Sequence, residues 1–179
     1  NSKKDFSHLI EVYKKTKEDE KFFINSQSKH WESHYKGKDK FYNLENLINF
    51  RKNQVLSHGL DDAMNLQNSF NLLEALKYFD NDFLKKNLPK KNVGNCEYST
   101  NFLGYWFDYG IIHHLKWYEK INKYIQNNFF ILEIGGGFGS FARIILNNKN
   151  VKYFLIDLPE ANLMTNFYLE SHFPEKKIF

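Results

Sequence analysis

The residues best placed to do chemistry lie between Glu133 and Gly139. There an apolar run, Phe129-Phe130-Ile131-Leu132, leads through Glu133-Ile134 into Gly135-Gly136-Gly137-Phe138-Gly139. A buried strand that ends in such a turn and feeds a helix aims free backbone amides at whatever sits above the strand end. Glycine is needed there because a side chain would keep the backbone away from a ligand, and because φ can be positive. Gly135, Gly137 and Gly139 follow the spacing G-x-G-x-G. A dinucleotide fingerprint, G-x-G-x-x-G, would want its last glycine where Ser140 stands. A phosphate-cradling P-loop is excluded, since no Gly-Lys-Ser/Thr follows. Two acids flank the glycines: Glu133, two positions before Gly135, and Asp157, which closes a second apolar run, Val151 to Ile156. Read by themselves, Glu133 could be a buried strand-end acid tied to backbone amides, and Asp157 could cap the helix that Pro159 starts.

Other candidates are weaker. His113 and His114 are adjacent, so a helix points them about 100° apart, poor geometry for a shared metal. His30 and His34 have chelating i, i+4 spacing, but Trp31 and Tyr35 around them favour a surface helix. His58, in S-H-G-L-D-D, is a loop histidine able to approach a substrate. No metal site is expected from these residues.

The elements that must position the glycines come in a simple order. Phe129–Ile134 reads as a strand, Ser140–Leu146 as a helix, Val151–Ile156 as a second strand and Glu160–Phe173 as a second helix, with Lys176–Phe179 beginning a third strand. This is the βαβαβ pattern of a parallel, doubly wound α/β sheet, whose strands are apolar throughout because both faces are buried. Ligands in such sheets bind outside the carboxyl ends of the strands, where this loop lies. Upstream, Phe6, Leu9, Ile10 and Tyr13 make a helical stripe, Lys14–Lys21 a solvated charged face, and Tyr42, Leu44, Leu47 and Ile48 a short apolar face. Asp61 or Asp62 is placed to cap a helix bearing Ala63, Leu66, Phe70, Leu73 and Leu76. Pro89–Cys96 reads as a linker and Ser99–Tyr124 as an aromatic helix or helix pair, broken near Gly104 or Gly110. The expected division is a helical N-terminal region, 1–93, and a Rossmann-like domain, 94–179, of which only the first half is present.

The form E-x-G-x-G-x-G after a buried strand resembles motif I of class I S-adenosylmethionine-dependent methyltransferases. L-E-I-G-G-G-F-G-S-F-A-R-I-I-L, followed by V-K-Y-F-L-I-D-L-P-E-A, is similar to the bacterial sugar O-methyltransferase family over Ile131 to about Tyr168. Looser echoes are N-F-R at 49–51, G-L-D-D at 59–62 and V-G-N at 93–95. The resemblance implies that Glu133, Gly135, Gly137 and Gly139 line the methionine side of S-adenosyl-L-methionine. It also implies that Asp157 holds the ribose hydroxyls and Leu158 packs beside the adenine, with Tyr105 and Tyr109 candidates to cover the cofactor. A carboxylate suits a diol because it can accept from both hydroxyls. The implied reaction is methyl transfer to a sugar hydroxyl in surface-polysaccharide synthesis. No catalytic residue is implied, since the base of such enzymes comes from later strands.

Composition bounds the rest. The chain has 179 residues, 25 Lys+Arg against 21 Asp+Glu, 42% apolar and 18% aromatic content, enough for a core and against disorder. A net charge of +4 is too weak to argue for nucleic acid. The single cysteine, Cys96, excludes a disulfide framework and fits a reducing, cytoplasmic setting. No apolar run approaches the ~20 residues of a membrane span. A start at Asn1 and a stop at Phe179, as a strand begins, read as a fragment that binds cofactor poorly and is inactive alone. Two rival functions are an NAD-dependent sugar dehydrogenase or epimerase, and a non-catalytic helical module that binds a partner protein.

Overall fold

The computed structural model describes residues 5–20, 42–52, 73–75, 77–97 and 99–176. Ala63, Leu66, Phe70 and Leu76 of the predicted helix, its cap at Asp61 or Asp62, His30, His34, His58 and residues 177–179 of the predicted third strand lie outside the described residues, while Leu73 is helical and exposed. What is described is a mixed α/β protein. Helices α1 (Ser7–Glu20), α2 (Leu44–Ile48) and α3 (Asn81–Asn87) precede a hairpin of β1 (Thr100–Phe102) and β2 (Tyr105–Phe107). Then come α4 (Tyr109–Ile121), β3 (Phe130–Ile134), α5 (Ser140–Asn148), β4 (Lys152–Ile156) and α6 (Pro159–His172).

Strands β3 and β4 pair in parallel across α5, with Phe130 opposite Lys152 and Ile134 opposite Ile156. A crossover helix between parallel neighbours is the βαβ unit expected from the sequence. The expectation of two buried faces is not met among the described residues. Ile131, Tyr153 and Leu155 pack against the helical cores. Phe130, Leu132, Ile134, Phe154 and Ile156 share the opposite face and are exposed, Ile134 by 78%. Their apolar character therefore reflects a face that no described element covers.

Ser99–Tyr124 is not helical throughout: its first part is the β1–β2 hairpin, turning at Leu103 and Gly104 with φ of 52° and 85°. Positive φ at both central residues is the two-residue turn that matches strand twist, and Gly104 supplies half of it. Tyr105, Trp106 and Tyr109 mimic helical spacing by coincidence. Pro89–Cys96 is not a free linker either. Val93 and Cys96 are buried, and the Asn92 side chain accepts from the Cys96 N–H and donates to the Cys96 carbonyl.

Both cores cross residue 93. One joins Leu9 and Tyr13 of α1, Leu47 of α2 and Val93 to Leu163, Phe167 and Tyr168 of α6. The other joins α3, β2, α4 and α5 through Leu84, Phe107, Leu115 and Ile144. On α1, Lys14, Lys15 and Glu18 are exposed, while Lys17 is half-buried with its Nζ 2.7 Å from the buried Glu160 of α6. This contact ties the first helix to the last.

Candidate functional site

The glycine loop follows β3, at the carboxyl ends of β3 and β4. The Gly135 N–H donates to the Ile156 carbonyl at 2.9 Å, extending the sheet by one bond. Gly135, Gly137 and Gly139 all have positive φ, at 77°, 59° and 84°, so the alternating spacing is the signature of a backbone that repeatedly visits the left-handed region. Gly139 is also the N-cap of α5, and a Cβ there would lie 2.9 Å from the Thr165 methyl of α6. At Gly135 and Gly137 a Cβ would meet nothing within 4 Å. The loop is thus packed from behind at its end and open above its beginning.

Gly136, which the spacing leaves unassigned, has a different role. A Cβ there would collide with the Leu155 side chain and come within 2.7 Å of Glu133 Oε2. Its missing side chain makes room for the Glu133 carboxylate, which accepts from the Tyr153 hydroxyl at 2.8 Å. Glu133 is therefore a strand-end acid held by a tyrosine, not by backbone amides. Burial, and secondarily the Asp157 charge, push its carboxyl above the usual carboxylate range against the Tyr153 hydrogen bond. Burial likewise raises the Tyr153 phenol. Gly136→Ala is expected to displace Glu133 from Tyr153 and return its carboxyl toward an ordinary pKa. Side-chain carbon NMR titration of Glu133 reads this, and an unchanged titration would sink the assignment.

Asp157 lies just beyond β4. One carboxylate oxygen accepts from the Gly137 N–H at 2.8 Å and the other from the Leu158 N–H at 2.8 Å. Helix α6 instead starts with Leu158 as N-cap and no side-chain cap, followed by Pro159. Asp157 therefore ties the glycine loop to the strand end instead of capping the helix. A carboxylate has about four lone-pair sites, so two amide bonds leave capacity for hydroxyl donors. Thr165 Oγ1 of α6 donates to the Gly137 carbonyl at 2.6 Å, holding the loop from the other side. Glu133, Gly135, Gly137, Gly139 and Asp157 thus gather in one place. Leu158 sits beside them, half-buried.

Two of the looser sequence echoes also converge there. The Arg51 N–H donates to the Gly94 carbonyl at 2.9 Å, and the Asn95 amide donates to the Asn49 side chain at 2.8 Å. Gly94 has φ 86°, and a Cβ on it would strike Phe50 and approach Arg51. N-F-R and V-G-N are two halves of one interlocked turn pair, and Arg51 reaches from it to Phe138 of the glycine loop. Spacing along the chain could not show this, because the partners are far apart in sequence. Tyr105 is half-buried against the α3–α4 core, and His114 packs on Trp117 and Phe141. Among the described residues no three His, Cys, Asp or Glu side chains come together as a metal site.

A groove of about 850 Å³ lies elsewhere. It runs along the edge of β4 that no described strand pairs, between α1 and α6, from Lys149 and Lys176 at one end to Pro159 at the other. Neither the glycine loop nor Asp157 lines it, so its size does not make it the candidate site.

Fold and site together define an α/β protein with a glycine-rich loop and two acids at the ends of parallel strands. No family model matches the chain, and no curated protein or solved structure matches it either. No helix among the described residues is long and apolar enough to cross a membrane.

Proposed function

We propose that the chain is the cofactor-binding part of an S-adenosylmethionine-dependent methyltransferase acting on a sugar hydroxyl, built on a Rossmann-like, doubly wound sheet. One observation carries the reading. Open space above Gly135 and Gly137 is bordered by two carboxylates, Glu133 and Asp157, at the carboxyl ends of parallel strands. Glu133 beside the loop disfavours a phosphate there and suits positive charge, as a sulfonium offers, while Asp157 suits the hydroxyls of a ribose, which a dinucleotide also carries. Among the described residues β4 has no partner on its far side, and the groove beside it leaves room for a further strand, which supports the doubly wound sheet.

S-adenosylmethionine supplies an already activated sulfonium methyl. In this reading a sugar oxygen forms a bond to the methyl carbon in line as the carbon–sulfur bond breaks, and the hydroxyl proton leaves to a base. Positioning supplies much of the acceleration, so the chain's contribution is to orient. Asp157 holds the ribose while keeping the loop shaped through Gly137, and the Gly135 and Gly137 backbones permit close approach. Glu133, backed by Tyr153, sets negative potential on the methionine side. The acceptor is a sugar or glycan.

The test is a nitrogen–proton NMR titration of the 179-residue chain with S-adenosylhomocysteine and, in parallel, NAD. Saturable shifts confined to the backbone of 133–139 and 157–158 with S-adenosylhomocysteine are expected. Shifts with NAD alone would assign the site to the rival oxidoreductase. Asp157→Ala should weaken S-adenosylhomocysteine binding by about 1–3 kcal/mol, the scale of lost hydrogen bonds to a charged group. Unchanged affinity would count against ribose recognition there.

A further inference from the structure

Phe138 is the one side chain inside the run of glycines, and its ring does not face the open space. It lies against Phe50 at 5.7 Å and edge-on to Tyr168 at 5.0 Å, with the Arg51 guanidinium carbon 4.6 Å from its centroid. Arg51 is 2% exposed and is held by Asp108 Oδ2 at 2.8 Å, itself 3% exposed. The guanidinium is thus buried, paired and laid on an aromatic face, the arrangement in which a cation–π contact is strongest. The flanking Gly137 and Gly139 have no side chains with which to anchor themselves, and α5 has no side-chain N-cap. Beyond the Gly137 contacts to Asp157 and Thr165, Phe138 is the loop's side-chain anchor.

We infer that Arg51 and Phe138 form a positioning pair that locks the glycine loop in its ligand-ready shape from the N-terminal helical region. Arg51 touches no ligand in this arrangement; it acts through Phe138. The asparagine-linked turns at 49–51 and 92–95 exist on this view to deliver the guanidinium to the loop. The inference deepens the cofactor-site reading and rests on it for the ligand arm of the test alone.

Amide hydrogen exchange of the full chain decides it. The probes are Gly137, bonded to Asp157, and Gly139, bonded to the Gly136 carbonyl at 3.1 Å. Phe138→Leu keeps apolar bulk and loses the π face; Phe138→Tyr keeps the face. Phe138→Leu should speed exchange at both glycines roughly tenfold relative to the core helices, the scale of a desolvated cation–π contact. Phe138→Tyr should restore the wild-type rate. Affinity for S-adenosylhomocysteine should fall in Phe138→Leu only in proportion to the fraction of loop that opens, and recover in Phe138→Tyr. Should Phe138→Leu fail to fold, Arg51→Lys carries the same comparison, because it keeps the charge and aliphatic stem but loses the planar face. Unchanged exchange at both glycines, or equally fast exchange in the Tyr variant, overturns the pair. If the wild-type chain ignores S-adenosylhomocysteine, the methyltransferase reading fails while the exchange arm still decides the positioning role.

Discussion

Replacing Asp108 by alanine is expected to cost about 3–5 kcal/mol of folding stability, the penalty for leaving a buried charge without its partner. Asp108 does two jobs at once. One oxygen receives the Arg51 guanidinium at 2.8 Å, and the other caps α4 by accepting the Ile111 N–H at 3.0 Å. Both members of the pair are nearly inaccessible, so water cannot replace either contact. Single domains are stable by only about 5–15 kcal/mol, so the variant loses a large share of its margin. Asp108→Asn keeps the cap through its one oxygen but turns an NH2 donor toward the Arg51 guanidinium, so it loses the charge and that hydrogen bond, and should fall between. The double replacement Arg51→Met with Asp108→Leu removes both charges and should recover most of the loss. Urea unfolding followed by circular dichroism measures all three. A loss below about 1 kcal/mol in Asp108→Ala, the level of an exposed pair, would show that the pair is not held away from solvent.

How much of this was legible in the sequence depended on how far apart the partners are. The βαβ unit was readable because its signals are local: two five-residue apolar strands, a glycine turn between strand and helix, and Pro159 to start α6. The alternation of Gly135, Gly137 and Gly139 was readable for the same reason, since each glycine answers to its own φ. Gly136 was not, because its constraint comes from Leu155 across the sheet and from the Glu133 side chain. The role of Asp157 was readable only as a choice between ligand and helix cap. The bond to Gly137 settles that it ties the loop, a fact of tertiary placement.

The misread segments share a cause. Pro89–Cys96 has the composition of a linker, but its asparagines are spent on internal hydrogen bonds and its glycine on contact with Phe50. Ser99–Tyr124 has so many aromatics that helical and alternating spacing both find matches, and the Leu103–Gly104 turn decides the matter. The strands were expected to be covered on both faces, because apolar residues fall on both. The structure divides those residues into a packed face and one that no described element covers. Coverage depends on which layers are present, and no property of a strand's own residues reports that.

Acid should destabilise the protein well before its surface carboxylates titrate, because two half-buried histidines are held in neutral form. Burial, only partly offset by Asp108 and reinforced by His113 and Arg143, holds His114 down at about 4. Burial, with Arg143, Lys91 and Arg51 adding to it, holds His172 at about 3. Nδ1 of His114 and Nε2 of His172 face no hydrogen-bond partner. That suits a bare ring nitrogen and would penalise an N–H. The sign follows from proton counting. Unfolded histidines bind protons below about pH 6.5, while the folded ones do so only near 4 and 3. Between these limits the unfolded state takes up more protons, and stability falls as pH drops. The full histidine contribution is present above about pH 6.5, and each histidine removes about 1.4 kcal/mol per pH unit below it. At pH 4.5 the two together have removed roughly 5 kcal/mol. Glu133 works in the opposite direction, since its raised carboxyl takes up a proton in the folded state first and softens the loss slightly. Urea midpoints between pH 7.5 and 4.5 should therefore decline steeply. His114→Leu and His172→Leu should each flatten the decline, whatever they do to stability at pH 7.5. A slope unaltered by both replacements would mean that the acid sensitivity arises elsewhere, and that these imidazoles reach water more readily than their packing against Phe141 and Tyr168 allows.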